Sequence, residues 1–266
     1  MNRLTETVPF KKGLMKMNLE KVIAERDNKT VYRDGDRSIK IFSPSSSKAA
    51  ILNEALNQAI VEEAGMNVPG ILSFYILDGK PVTESEYIEG ETLDRVMKNN
   101  PDKFDEYFNM FVDLQIELQS KSSRYLTRLR DKLNRQINES ELDATVRFSL
   151  HSRLSAMPKS QQICHGDFNP SNIILGKDGK AYILDWSKAT QGNAAGDAAM
   201  TCLLFCLDGD AETARKYVEL YCEKTGTEKS FIKKWIPIVA ASYSVEVSGE
   251  EHDKLISWVE SFDLLD

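Results

Sequence analysis

No stretch of this sequence is apolar enough to cross a bilayer. The longest apolar runs, such as Ile236–Ala241, fall far short of the roughly 18 residues a spanning helix needs. Met1–Met17 holds Arg3, Glu6, Pro9, Lys11, Lys12 and Lys16 and lacks an apolar core, so no secretory leader is expected there. Cysteine is scarce. Cys164, Cys202, Cys206 and Cys222 form no C-x-x-C pair, and a zinc site would need more ligands at suitable spacing. Cys202 and Cys206 share one face of an apolar helix as small buried residues. This usage suits a reducing, cytoplasmic setting. Positive charge is in deficit, with 34 Lys and Arg against 41 Asp and Glu and a net charge of -7. Such a chain repels polyphosphate backbones and anionic membranes, so neither nucleic acid nor membrane is an expected partner. Internal repeats and low-complexity tracts are also missing.

What remains is an ordinary globular composition over 266 residues, 41% hydrophobic and 28% charged, enough for two lobes with cores of their own. β-prone runs 30–33 and 38–42 flank Asp34-Gly35-Asp36, and 71–77 and 81–88 flank Asp78-Gly79-Lys80. Each pair predicts a hairpin. Between them, Ile51, Leu52, Ala55, Leu56, Ala59 and Ile60 recur at helical spacing over 48–64, closed by Gly65. After Glu89-Gly90 the pattern turns helical, with Thr92 as an N-cap. Phe104–Leu118, Leu126–Leu133 and Leu142–Leu154 mark successive helices, and more follow a further hairpin at 172–184. The expected fold class is therefore α+β and two-lobed. A small N-terminal sheet lobe with one helix covers 1–88, and a larger, mainly helical C-terminal lobe covers 89–266. Residues 121–159 carry nine Lys or Arg against four acids, and the tail from Glu246 has seven acids against one lysine. Both read first as solvated faces; the acidic tail also suits a neighbouring cationic substrate.

The chemistry concentrates in Cys164-His-Gly-Asp-Phe-Asn-Pro-Ser-Asn-Ile-Ile-Leu175 and Ala181-Tyr-Ile-Leu-Asp-Trp186. A hairpin sets the start of its first strand beside the end of its second, so Asn172 and Asp185 are expected together, with Asp167 on the loop feeding that end. Carboxylate and carboxamide oxygens are the hard ligands Mg²⁺ accepts, and Mg²⁺ also keeps waters and phosphate oxygens. Asn172 and Asp185 are the candidate metal ligands. A carboxylate held off the metal can orient a hydroxyl and accept its proton, which is the part expected of Asp167.

The string H-G-D-x-x-x-x-N followed by I-L-D-W resembles the aminoglycoside phosphotransferase and choline kinase family of the protein-kinase-like superfamily, where Gly replaces the middle Arg of H-R-D. The resemblance covers most of the chain. It implies a protein-kinase-like fold, a nucleotide-binding lobe at 1–88 and a catalytic and substrate-binding lobe at 89–266. It implies ATP and Mg²⁺ as cofactors and a small-molecule hydroxyl as acceptor. It also implies that Lys40 holds the α- and β-phosphates, that Glu54 pairs with Lys40, and that the C=O of Glu86 and N–H of Ile88 meet adenine. Asp197 is expected to cap a helix and brace the catalytic loop, and His165 to orient it. One departure stands out: Ala24–Thr30, which should cover the phosphates, contains no glycine, so neither phosphate-loop pattern occurs there. For the acceptor, an aminoglycoside or other amino sugar fits the acidic tail. Choline or another amino alcohol would want an aromatic cage, for which Trp235, Tyr243 and Trp258 are available. A sugar kinase, a protein kinase and a catalytically silent nucleotide-binding protein are the other readings. No A-P-E segment follows Asp185 to support a protein kinase.

Overall fold

The computed structural model describes residues 7–8, 15–16, 19, 21–26 and 28–265. The expectation of no leader in Met1–Met17 falls largely outside them. In chain order the elements are β1 (Thr7–Val8), β2 (Met15–Lys16), β3 (Lys21–Arg26), β4 (Lys29–Asp34), β5 (Arg37–Phe42), α1 (Lys48–Glu63), β6 (Ile71–Leu77), β7 (Lys80–Glu86) and β8 (Gly90–Thr92). Then come α2 (Leu93–Asn99), α3 (Phe104–Ser120), α4 (Leu129–Glu139), α5 (Ala144–Ala156), β9 (Gln162–Cys164), β10 (Ile173–Gly176), β11 (Ala181–Ile183) and β12 (Thr190–Gly192). The chain closes with α6 (Ala194–Leu207), α7 (Ala211–Thr225), α8 (Lys229–Tyr243) and α9 (Glu250–Glu260). Two compact units result. One runs up to Glu91 and takes in Ile174–Ser187; the other comprises Thr92–Ile173 and Lys188–Asp266.

The first unit is built on an antiparallel sheet of order β3-β4-β5-β7-β6. The Asp34-Gly35-Asp36 turn, with Gly35 at φ 65°, sets Asp34 opposite Arg37 and so Val31 opposite Lys40 and Lys29 opposite Phe42. Alternation then divides the faces. Ile39, Leu77 and Val82 form a buried cluster on one face, joined by Tyr32, Ile41 and Tyr75. Lys40 faces the other way. Helix α1 starts where Ser47 Oγ accepts from Ala50 N–H at 3.3 Å, and ends at Ala64 before Gly65, whose φ is 89°. Its Asn57 Nδ2 donates to Trp186 O at 2.9 Å, tying the 174–187 segment into this unit. In a small sheet of order β11-β10-β8, a Cβ on Gly90 would overlap Leu175 O, so only glycine fits at that crossing.

The second unit is a helical assembly around α6, whose Ala198, Ala199, Cys202 and Leu203 are fully buried. Phe108 and Phe111 of α3 and Tyr217 and Tyr221 of α7 are buried as well. Several local expectations change. The strand predicted from Asn172 begins at Ile173, because Asn169 Oδ1 accepts from Ser171 N–H at 3.0 Å and winds Pro170–Asn172 into a 3-10 turn. Leu126 precedes α4 rather than joining it. The three-residue strands β8, β9 and β12 are too short to show any period. Thr92 holds the N-cap position of α2 without a side-chain bond.

Candidate active site

Five of the expected residues lie in the sheet unit: Lys40, Glu54 and Asp185 around one charge centre, Glu86 at the end of β7 and Ile88 just beyond it. Lys40 Nζ is 2.8 Å from Glu54 Oε1, joining β5 to α1. Burial alone would lower the Lys40 pKa. The attraction of Glu54, its hydrogen bond and the charge of Asp185 outweigh that and move it above its ordinary value. Asp185 follows β11 at φ 59°, a left-handed conformation that few residues other than Gly, Asn or Asp adopt. Ser187 Oγ donates to its Oδ1 at 2.7 Å, and Lys29 Nζ lies 3.7 Å from its Oδ2. Glu86 ends β7: its N–H donates to Gly70 O at 2.9 Å and its Oε2 accepts from Gly70 N–H at 3.0 Å. Tyr87 N–H donates to Asp36 O at 2.8 Å, and Ile88 stands just beyond the strand.

Asp167 and Asn172 lie together in the helical unit. Asn172 Nδ2 donates to Asp167 O at 3.0 Å and approaches Oδ2 at 3.4 Å; Asn169 Nδ2 makes the matching contacts to O at 3.1 Å and Oδ1 at 3.3 Å. Both carboxamide nitrogens therefore face Asp167, which leaves Asn172 Oδ1 as the oxygen a cation can take. His165 is fully buried; its Nδ1 accepts from Asp167 N–H at 3.2 Å, and its ring meets Phe168 edge-on. Gly166 has φ 78°, and a Cβ there would come within 2.8 Å of Lys188 O. That approach explains glycine in the middle of H-G-D.

Asp197 braces this loop from α6. It is buried; its Oδ1 accepts from Gly166 N–H at 2.8 Å, and its Oδ2 from Gln115 at 3.1 Å and Gln119 at 3.0 Å. It does not cap the helix. Asn193 does, through a 3.0 Å bond from Ala195 N–H, because the helix begins a turn earlier than the position of Asp197 implied.

A family model described as the phosphotransferase enzyme family matches residues 19–231, the stretch that holds the loop carboxylate, the carboxamide five residues on, and the strand lysine paired to a helix glutamate. The chain belongs to that family. Solved structures of similar fold include a choline/ethanolamine kinase family protein from Mesorhizobium loti, 14% identical with a TM-score of 0.62, covering 92% of this chain and 89% of that one. Choline kinase LicA from Streptococcus pneumoniae is 16% identical with a TM-score of 0.61, covering 92% and 95%. A thermostable mutant of aminoglycoside phosphotransferase APH(4)-Ia, solved with ADP and hygromycin B, is 10% identical with a TM-score of 0.67, covering 92% of each chain. At these identities the likeness is one of fold: α+β, protein-kinase-like, with a sheet-bearing N-terminal part and a larger helical part. The comparison with curated proteins finds no match.

In this phosphotransferase, further charged groups surround the expected ones. In the helical unit Lys188 Nζ is 2.9 Å from Glu246 Oε2 and 4.4 Å from the Tyr243 ring centroid. Burial would lower the Lys188 pKa, but Asp167 and then Glu246 raise it above its ordinary value. Gln136 Nε2 donates to Glu246 Oε1 at 2.7 Å, and Lys132 Nζ lies 3.8 Å from the same oxygen. Burial, then the negative charges of Glu251, Asp167 and Asp210, push the Asp208 carboxyl up. Sequence reasoning singled out neither Lys29, Lys188, Lys132 nor Asp208. For Lys29 a signal existed, because the hairpin register places it on the same face as Lys40. Lys188 and Glu246 are far apart in sequence, and no local pattern links them.

No helix among the described residues is long and apolar enough to cross a membrane. Likewise, no cluster of three or more His, Cys, Asp or Glu able to hold a metal occurs among them. Mg²⁺ accepts hard oxygen ligands and keeps phosphate and water as well, and the Asp185 carboxylate and the Asn172 carboxamide are each donors of that kind.

Proposed function

We propose that this phosphotransferase moves the γ-phosphoryl group of ATP to a hydroxyl of a small, amine-bearing acceptor such as an aminoglycoside or related amino sugar, in the cytoplasm. The observation that carries the reading is Asp167, held between Asn169 and Asn172 on a loop braced by Asp197. In this reading residues 1–88 bind the nucleotide and 89–266 supply the catalytic loop and acceptor site. Asp167 orients the acceptor hydroxyl and takes its proton as the new O–P bond forms. The bond from the γ-phosphorus to its bridging oxygen breaks, and its electron pair leaves with ADP. Lys40, steadied by Glu54, binds the α- and β-phosphates. The C=O of Glu86 and N–H of Ile88 bind adenine. Asn172 and Asp185 hold Mg²⁺, which neutralises phosphate charge when bound.

Asp208 senses the negative charges of Glu251, Asp167 and Asp210, a setting that suits a cationic acceptor, amino sugar or amino alcohol alike. Of the three cage candidates, two weigh against choline: Trp235 is 3% exposed and Lys188 already lies over the ring of Tyr243, which leaves Trp258, half-buried, as the third. The hygromycin B bound by APH(4)-Ia supports the aminoglycoside class of acceptor.

The test is Mg²⁺-dependent ADP release across aminoglycosides, choline, amino alcohols and simple sugars, with Asp167→Asn as control. Stimulation by aminoglycosides that vanishes in the variant is the expected result. Stimulation by choline alone would overturn the acceptor, and stimulation surviving in Asp167→Asn would overturn the base. Asp185→Ala should weaken Mg²⁺-dependent nucleotide binding by about tenfold or more; an unchanged Mg²⁺ dependence would remove it as a ligand.

A further inference from the structure

The sheet unit has no glycine where a phosphate-covering loop would lie. Residues 24–30 contain none, and Arg26 of β3 pairs directly with Lys29 of β4, so only two residues join the strands. A glycine-rich loop works by folding main-chain N–H groups over an anion, and a connection of two residues has few to offer. Lys29 stands at the end of that connection. It is paired with Arg26 on one side and Phe42 on the other, so β3 and β5 hold its main chain from both sides. The same register turns its side chain to the face that carries Lys40 and Phe42.

On that face Lys29 meets Asp185, which holds Mg²⁺ in the proposed reading. Its Nζ lies 3.7 Å from Asp185 Oδ2 and 5.9 Å from the centroid of the Phe42 ring. Lys40 Nζ is 2.8 Å from Glu54 Oε1, and Lys40 also feels the charge of Asp185. Two ammonium groups and two carboxylates thus balance one another. The two pairs differ in kind. The Lys40–Glu54 pair is short, and the Glu54 side chain is 12% exposed. The Lys29–Asp185 pair is long, and the Asp185 side chain is 31% exposed. A long ion pair open to water is held weakly and can change partners.

The Asp185 carboxylate cannot neutralise a divalent cation and remain the counter-ion of Lys29 as well. Once Asp185 turns to such a cation, the Lys29 ammonium needs another anion, and the phosphates that accompany the cation supply one. We propose that Lys29 is a phosphate-binding residue that exchanges partners: it pairs with Asp185 in the nucleotide-free protein and with phosphate oxygens of a bound nucleoside triphosphate. The assignment rests on the nucleotide reading above. It gives one lysine side chain the anion contact that a glycine-rich main chain would otherwise make.

The test is calorimetric nucleotide binding to the full-length chain, with no acceptor present. Lys29→Met should weaken Mg·ATP binding by about tenfold and leave adenosine binding unchanged, and Lys29→Arg should restore most of the loss. Lys29→Gln takes the place of Lys29→Met if that variant folds poorly. The exchange itself is read in EDTA, with Asp185→Asn made both in wild type and in Lys29→Met. Removing a carboxylate near the phosphates should tighten metal-free ATP binding somewhat in either background. Release of Lys29 should add about a further threefold in the wild-type background alone. Equal tightening in both backgrounds would overturn the exchange. Unchanged ATP affinity in Lys29→Met, or an equal loss of adenosine binding, would overturn the phosphate contact. A wild type that binds neither ATP nor adenosine would overturn the nucleotide reading itself, and the role of Lys29 with it.

Discussion

The Lys40 group of the sheet unit and the Asp167 group of the helical unit are assembled by different means. Around Lys40 the bonds are between charges: Glu54 at 2.8 Å from Lys40, and Lys29 at 3.7 Å from Asp185. Around Asp167 they run through carboxamides, a buried imidazole and main-chain N–H groups, backed by Asp197 and its two glutamines. Charge pairs between long side chains tolerate movement and suit a ligand whose own charge is to be balanced. Short bonds from amides and backbone fix one carboxylate in one orientation, as proton transfer needs. On the proposed reading the contrast separates binding from chemistry, and it can be broken by experiment.

The largest expected effect is a split between two variants. Asp167→Asn should lower kcat by about a thousandfold while leaving nucleotide affinity unchanged. Lys40→Met should instead raise the KM for ATP by about tenfold, with a smaller loss in kcat. Steady-state kinetics and nucleotide binding measured on both proteins would show it; loss of nucleotide binding in Asp167→Asn would erase the distinction.

Next is the brace. Asp197→Ala leaves Gly166 N–H and two glutamine amides without their buried acceptor, and should cost about 3 kcal/mol of stability in chemical denaturation. Lys40→Met, which leaves the single carboxylate of Glu54 unpaired with its side chain 12% exposed and able to take up a proton, should cost less. Equal losses would mean that the two groups are built alike. Gly166→Ala should cost about 2 kcal/mol, because the residue has φ 78° and Lys188 O occupies the space of a Cβ.

The smallest effect concerns pH. Burial alone would raise the Glu246 carboxyl, but Lys188 and then Lys132 outweigh it and hold it below its ordinary value of 4.5. A carboxyl depressed in the folded state contributes stability that is present above 4.5 and is lost as pH falls through the lower folded value. Glu246→Gln should therefore flatten the acid limb of a stability-versus-pH curve below pH 4.5 and leave its neutral part nearly parallel to wild type. An unchanged acid limb would show that the Lys188–Glu246 contact carries no such linkage.

Much of the frame was legible because it is local. The Asp34-Gly35-Asp36 turn determines its own register, and with it the faces of Lys40 and Ile39. The apolar spacing in 48–63 and 104–120 marks α1 and α3 from neighbours three and four residues apart. The string from His165 to Asn172, with Asp185 beyond it, carries the resemblance to the family in its residues and their spacing. The pairing of Lys40 with Glu54 was expected from the family resemblance, since nothing in either segment names its partner.

Contacts between residues distant in the chain were left to the tertiary structure. Asp197 was expected from the resemblance to cap a helix and brace the loop; the brace is there, but Asn193 takes the cap, and only the packing of α3 against α6 adds Gln115 and Gln119 as partners. The acidic tail looked open to a cationic substrate, yet its Glu246 is already paired to Lys188 and Lys132. The basic stretch 121–159 looked like solvated faces, and Arg128 and Lys159 are exposed, but Arg130 is turned back onto the distant carbonyls of Ser155 and Met157. The physical reason is the same in each case. Turns, caps and amphipathic periods are decided within a few residues and can be read along the chain. Pairing of charges and satisfaction of buried donors depend on which distant segments the core brings within hydrogen-bond reach.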